Sequence, residues 1–307
     1  MFCYNCGVEI IREHKFCFSC GIKLELNNLG TSNQVRIVKA PCSVPDRIKT
    51  LDLKDIFKKM ETAIKKECSL PEEQFEKNWG KFKKYHYKNY SDNDIYWIFV
   101  QVIFYSGMKA ATVTEKLPAI KKYFKDFNAA RSYSQVEINT VMKDTDTIHY
   151  KPKIEACINN AIIFNEIIKR HGSFSNYIES FGNLQEEGTL EDLKKDLMKF
   201  YYIGPITVFH VMLELGLNVW KPDRVIRRIL FRLGLIDDKE NIGQSIMVGR
   251  EFSRQINDPI RYIDIIMVKY GQMGDEEGFG LKNGGICLEK NPRCHACGVT
   301  EYCSFDV

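Results

Sequence analysis

The residues of this chain best suited to chemistry are its eleven cysteines, eight of which stand in two quartets. In the first, Cys3-x2-Cys6 and Cys17-x2-Cys20 are separated by ten residues, and Gly7 and Gly21 follow the second member of each pair. Two such turns bring four thiolates into a tetrahedron, which suits structural zinc; a single iron has the same needs. In the second, Cys287, Cys294, Cys297 and Cys303 have gaps of six, two and five residues. That spacing fits neither the bacterial nor the plant ferredoxin pattern. Cys42, Cys68 and Cys157 are left over and read as buried thiols. Two further stretches invite attention. Asp223 follows Pro222 and precedes a helical stretch, so it can cap that helix or serve as a reactive carboxylate. Tyr202-Ile203-Gly204-Pro205 reads as a tight turn between helices, with a second helix starting at Gly204-Pro205 whose free N–H groups could hold an anion.

The elements that position these residues read as helices. "LDLKDIFKKMETAIKKE" places Leu53, Ile56, Met60 and Ile64 near one face. "DIYWIFVQVIFYSG" is apolar nearly all round and predicts a buried central helix ending near Gly107. "KIEACINNAIIFNEIIKRHG" is closed by Gly172, and "TLEDLKKDLMKF" opens on Thr189 as an N-cap. Strand-like alternation is scarce, so the expected fold class is all-α, with about ten or more helices. Residues 27–50 are polar and irregular and read as a linker. The net charge of +4 permits a nucleic-acid partner without requiring one. No apolar run approaches the roughly 18–20 residues needed to cross a bilayer. Cysteine-rich composition without a signal peptide points to a reducing, cytoplasmic setting.

Turn, capping aspartate and uneven quartet occur in an order that resembles the endonuclease III branch of helix–hairpin–helix DNA glycosylases. "NPRC" at 291–294 and Tyr302 before the last cysteine agree with that branch's cluster loop. The resemblance covers about Ser91 to Cys303. It implies a two-domain helix–hairpin–helix fold with a 4Fe–4S cluster on Cys287, Cys294, Cys297 and Cys303; zinc on Cys3, Cys6, Cys17 and Cys20 lies outside the resemblance and is expected from their spacing alone. The expected division is a zinc ribbon at 1–26 and a linker at 27–50, both read from the residues, then a cluster domain at 51–94 with 220–307 and a helical barrel at 95–219, as the resemblance implies. "SDNDIYWIFVQVIFYSGMKAATV", "KIEACINNA" and "FYYIGPITVFHVM" are also similar to 3-methyladenine DNA glycosylase I. That family carries a glutamate in the helix spanning Ile95 to Tyr105, where this chain has no carboxylate, and its Cys/His zinc site is not visible here.

What the resemblance implies is base excision from double-stranded DNA carrying a damaged base. Asp223 would stabilise charge on the sugar and handle water. Tyr202, Ile203, Gly204 and Ile206 would grip the strand, and Met108 or Lys109 would fill the space left by the flipped base. Tyr96, Trp97 and Tyr105 could stack on that base. Arg224, Arg228 and Arg232 share a face, and with Lys290, Arg293 and the 81–88 stretch "KFKKYHYK" they are candidates for phosphate. Bifunctional members keep a lysine where Ile206 stands, so hydrolysis without strand cleavage is expected, with nearby lysines such as Lys199 as the substitute amines. Alkylated purine such as 3-methyladenine is the first expected substrate, with uracil or mismatched pyrimidine, or mismatched adenine, as alternatives. A non-catalytic DNA or RNA binder on the same scaffold, or an electron-transfer protein, would be a different class. A monomer is expected, associated with the nucleoid if the source is prokaryotic.

Overall fold

The computed structural model describes residues 46–274 and 278–305. All regular elements among them are helical, as the sequence pattern predicts. The N-terminal quartet, Cys42 and most of the expected linker lie outside the described residues. The chain opens with α1 (Asp46–Thr50), α2 (Leu53–Glu67) and α3 (Glu72–Asn78). It continues through α4 (Asp92–Tyr105), α5 (Ala110–Phe124), α6 (Phe127–Ala130), α7 (Gln135–Lys143) and α8 (Lys151–His171). Next come α9 (Phe174–Glu179), α10 (Glu187–Leu197), α11 (Thr207–Glu214), α12 (Arg224–Arg232), α13 (Ile242–Gln255) and α14 (Ile260–Gly271). Two units result: Met1–Lys83 with Val219–Val307, and Lys84–Asn218.

The second unit is built on α4 and α8. Ser91 caps α4 reciprocally with Asp94, so that the Asp94 and Ser91 N–H groups each find a side-chain acceptor, and the helix then buries Ile95, Tyr96, Ile98, Phe99, Val100, Val102, Ile103 and Phe104. Phe99 meets Phe164 of α8 edge-on at 5.1 Å, and Phe164 stacks on Phe174 at 4.4 Å. These rings form the unit's centre, each burying on the order of 150–250 Å². α8 ends at Gly172, as expected, with Lys169, Arg170 and His171 in its last turn facing the negative end of the helix dipole. Where the chain enters the unit, Gly216 has φ +72°, and a Cβ there would lie 2.1 Å from the Tyr85 carbonyl oxygen. Tyr87 N–H donates to Leu215 O at 2.8 Å beside it. That close pairing draws 84–94 into this unit, so the division falls at Lys83/Lys84 rather than at the expected 94/95.

In the first unit, α2 presents Leu53, Ile56, Met60 and Ile64 to the core, all essentially without exposure. α14 packs on α2 and on α12 and is buried along most of its length. Two expectations need correction. Asp46–Thr50, assigned to the linker, is helical, because Arg47 anchors it to Ser304 Oγ at 2.6 Å and Tyr302 O at 2.8 Å. α10 begins at Glu187, with Thr189 inside it rather than at its N-cap. A turn at Asn183, whose Oδ1 accepts from Gln185 N–H at 3.1 Å, sets that earlier start.

Candidate active site

The turn between α10 and α11 carries Tyr201, Tyr202 and Ile206 to the surface, while Ile203 is buried. Tyr202 has φ +64°, a left-handed conformation that costs a non-glycine residue about 1–2 kcal/mol. Its neighbours hold it there. Asn160, fully buried in α8, accepts from Tyr201 N–H at 2.8 Å through Oδ1 and donates to Tyr201 O at 3.0 Å through Nδ2. Thr207 Oγ1 lies 3.1 Å from Tyr202 O and accepts from Gly204 N–H at 2.7 Å. The Gly204 amide is therefore taken by Thr207, and α11 begins at Thr207 rather than at Gly204-Pro205. The Tyr202 hydroxyl bonds that of Tyr150, which raises its titration above the ordinary phenol range. Tyr150 is itself exposed at the start of α8.

A second loop follows α4. Gly107 takes φ +70°, and Met108 and Lys109 after it are exposed. Lys153 of α8 holds this loop from beneath. Its Nζ donates to Phe104 O at 2.9 Å and Ser106 O at 2.6 Å, satisfying carbonyls that the helix end leaves open. Burial lowers the Lys153 ammonium to about 8. Lys153 and Asn160 stand seven residues apart, about 10 Å along α8. One helix thus ties down both loops through two buried polar side chains. Neither residue was singled out from sequence, although two polar groups at this spacing in an otherwise apolar stripe are a readable signal.

Of the aromatic candidates, Tyr96 is fully buried, its hydroxyl donating to Cys157 O at 3.0 Å and its ring against Phe127 and Phe164. It is a core residue, which removes it from the base-stacking set. Trp97 is half-buried under Lys121, and Tyr105 is half-buried with its hydroxyl 2.8 Å from Thr114 Oγ1. Tyr105 also lies against His210 of α11, which pairs with Glu214 at 3.5 Å. Sequence reasoning passed over that pair. Lys199 is paired with Asp196 at 2.6 Å.

In the first unit, Asp223 caps α12: its Oδ1 accepts from Ile226 N–H at 2.9 Å. Oδ2 lies 4.0 Å from Lys221 Nζ, and about a quarter of the side chain is exposed. The arginine stripe behind it is largely turned inward. Arg228 donates to Gly271 O at 2.6 Å and Cys287 O at 3.3 Å. Arg232, 6% exposed, donates to Cys287 Sγ at 3.2 Å, Leu288 O at 2.6 Å and Glu289 O at 3.1 Å. Arg293 pairs with Glu67 and donates to the carbonyls of Gly284 and Gly285. These three guanidiniums answer carbonyls freed by the cysteine loop, which corrects their assignment to phosphate. Arg224 and Lys290 remain exposed. In the 81–88 stretch Lys83 pairs with Asp258 at 3.7 Å and Lys88 with Glu179, which leaves a weaker case for a DNA-facing strip.

Cys287, Cys294, Cys297 and Cys303 are free thiols, each partly buried. Arg232 and the Tyr270 hydroxyl donate to Cys287 and Cys297, the latter at 3.0 Å. Donors aimed at sulfur suit thiolates that ligate an inorganic centre. Among the described residues no group of three or more His, Cys, Asp or Glu is placed to hold a metal ion. Cys68 donates to Phe279 O at 3.3 Å, and Cys157 is fully buried, which pushes its thiol up.

The left-handed turn and the exposed loop belong to the unit Lys84–Asn218, and the capping Asp223 belongs to the other. The family model for methyladenine glycosylase matches residues 66–221, just over half of the chain, and the protein belongs to that family. The matched region stops short of Asp223 and the cysteine loop. Among solved structures, the chain is similar to 3-methyladenine DNA glycosylase I from Staphylococcus aureus. Identity is 23% over 42% of this chain and 78% of that one, with a TM-score of 0.37. A tyrosine-to-phenylalanine form of 3-methyladenine DNA glycosylase I in complex with 3-methyladenine and a glutamate-to-glutamine mutant of the Staphylococcus aureus enzyme match at 22% identity, with the same coverage and TM-score.

Proposed function

We propose that this protein excises 3-methyladenine from double-stranded DNA by hydrolysis, leaving an abasic site. The family match over residues 66–221 carries this reading. Breaking the N-glycosidic bond builds positive charge on the deoxyribose, and Asp223 is the carboxylate assigned to stabilise it and to orient water. With Oδ1 committed to the α12 cap, Oδ2 is the atom available to the sugar or the water. The cap has a second use, since it fixes the carboxylate without side-chain entropy loss during reaction. The hairpin at Tyr202–Gly204 would hold the strand, its exposed tyrosines against sugar and base faces. Met108 or Lys109 would occupy the gap of the flipped nucleotide, at a cost of a few kcal/mol that a lesion lowers. Ile206 offers no amine, so no Schiff base forms and the strand stays intact.

Four cysteines on one loop, met by an arginine and a tyrosine hydroxyl, support a 4Fe–4S cluster on Cys287, Cys294, Cys297 and Cys303. Bound there, the cluster would give the loop its shape rather than take part in hydrolysis. Zinc on Cys3, Cys6, Cys17 and Cys20 is the corresponding proposal for the N-terminal quartet. Iron, acid-labile sulfide and zinc analysis tests both. The activity is tested on methylated duplex, scoring released base and strand breaks before and after alkali. Release of 3-methyladenine with breaks only after alkali is expected. Asp223→Asn should lower single-turnover release at least about a hundredfold with DNA affinity retained. Equal release by both proteins would remove Asp223 from the mechanism, and tight binding with no release by either would favour a non-catalytic binder.

A further inference from the structure

Two buried residues knit the C-terminal cysteine loop together, and each ties two separate parts of it. Tyr270 lies in the last turn of α14. Its carbonyl oxygen accepts from the Ile286 and Cys287 N–H groups at 2.7 and 2.8 Å, and its hydroxyl donates to Cys297 Sγ at 3.0 Å. Arg232 is the last residue of α12. Its carbonyl oxygen accepts from the N–H of Ser304, next to Cys303, at 2.6 Å. Its guanidinium reaches Cys287 Sγ at 3.2 Å while also donating to Leu288 O and Glu289 O. The loop itself brings in Cys294: Arg293 N–H donates to Ile286 O at 2.9 Å, and Cys297 N–H donates to Cys294 O at 3.1 Å. The loop presses closely on α14, since a Cβ at Gly285 would lie 2.4 Å from Lys269 O and 2.7 Å from Tyr270 O.

Backbone bonds are enough to fix a loop, so the two side-chain donors aimed at sulfur call for a separate explanation. A thiol sulfur is a weak acceptor, whereas an ionised acceptor makes a hydrogen bond roughly twice as strong. Arg232 also brings a full positive charge into a place almost closed to water, with the Phe305 ring 4.2 Å from its guanidinium carbon. A charge buried this far is costly unless hydrogen bonds and an opposite charge answer it. Thiolates that hold an iron–sulfur cluster are such a charge. Hydrogen bonds and positive charge at the ligating sulfurs favour the more negative, reduced member of whichever couple the cluster uses, and so raise its potential. We propose that Arg232 and Tyr270 set the reduction potential of that cluster, as positioning residues that donate to its Cys287 and Cys297 thiolates. The inference rests on the cluster proposed above and adds to it the two side chains that govern its electronic state. Hydrolysis of an N-glycosidic bond consumes no electron, so the potential reports these contacts and is not a step of that reaction.

The test uses the full-length protein reconstituted with iron and sulfide, compared with Tyr270→Phe and Arg232→Gln. Iron and acid-labile sulfide are counted on each, and midpoint potentials are read by protein-film voltammetry. Tyr270→Phe keeps the ring and its packing and removes only the hydroxyl. It should retain its iron and shift the balance between the two redox states about threefold to tenfold toward the oxidised one. That is a potential lower by about 30–60 mV for one electron. Arg232→Gln removes a charge as well and should lower the potential by about 60 mV or more, a tenfold shift or greater. The proposal is overturned if Tyr270→Phe titrates at the wild-type potential, or if it loses its iron, since the hydroxyl would then serve assembly and not potential. Arg232→Gln at the wild-type potential, or without iron, would strike Arg232 from the pair. A reconstituted wild type that holds no iron defeats the cluster itself, whereas a loaded wild type whose variants share its potential defeats only the roles of Arg232 and Tyr270.

Discussion

Single residues decide what reaction the scaffold can run. Ile206 is the plainest case, because it is an exposed aliphatic side chain in the turn and offers no amine. Ile206→Lys is expected to gain borohydride-trappable complexes with abasic DNA that wild type does not form; equal trapping of both proteins would mean another amine, such as Lys199, already does this chemistry. Lys153 makes a different kind of statement, about stability. Desolvation holds its folded-state value at about 8, against roughly 10.4 for a free lysine. Between these values the unfolded chain keeps a proton that the folded chain has released, so folding gains as pH rises through the window. Below about 8 the lysine is charged in both states and its desolvation cost stands in full. The stability of wild type relative to Lys153→Met should therefore rise by about 2 kcal/mol from about pH 7.5 to 9.5. Denaturant unfolding of both proteins at the two pH values checks this, and a flat difference would show that the two carbonyls keep the amine charged.

Among the elements, α8 has the most demanding task, since its buried polar side chains hold two loops. Asn160→Ala would leave the Tyr201 N–H and carbonyl without the partner that fixes them, at about 2–3 kcal/mol. Affinity for lesion-free duplex should fall with it, because Tyr202 is kept at φ +64° by those same contacts. Unchanged affinity alongside the lost stability would show that the turn does not touch DNA. The contrast between α8 and α12 also explains what could be read in advance. The apolar run of α4, the Gly172 stop of α8 and the capping position of Asp223 are local, and the sequence pattern carried them. Arg228, Arg232 and Arg293 were misread because their spacing describes a charged face, whereas carbonyls freed by a distant loop draw them inward. Tyr96 was misread because its ring and hydroxyl are both satisfied inside the core.

For the molecule as a whole, the two units rest on different sources of order. Lys84–Asn218 is centred on packed rings, with Phe99, Phe164, Phe174 and Phe200 within contact of one another and almost wholly buried. The other unit has an apolar core too, but its C-terminal loop is held by polar bonds: Arg47 to Tyr302, Arg232 to Cys287, Leu288 and Glu289, Tyr270 to Cys297, and Arg293 to Gly284 and Gly285. Cys297→Ala tests that difference. It leaves the Tyr270 hydroxyl, on a residue 1% exposed, facing no sulfur, which alone costs about 1–3 kcal/mol. Loss of a cluster from the same loop would add to this. Native-state hydrogen exchange should then quicken in α12 and α14, which pack on one another, and leave α4 and α8 as protected as in wild type. Iron content read on the same samples separates the two contributions: a wild-type protein without iron that responds like the variant would confine the effect to the hydrogen bond. Faster exchange spread evenly over α4, α8, α12 and α14 would instead mean that the cysteine loop supports the stability of both units, against the separate sources of order argued here.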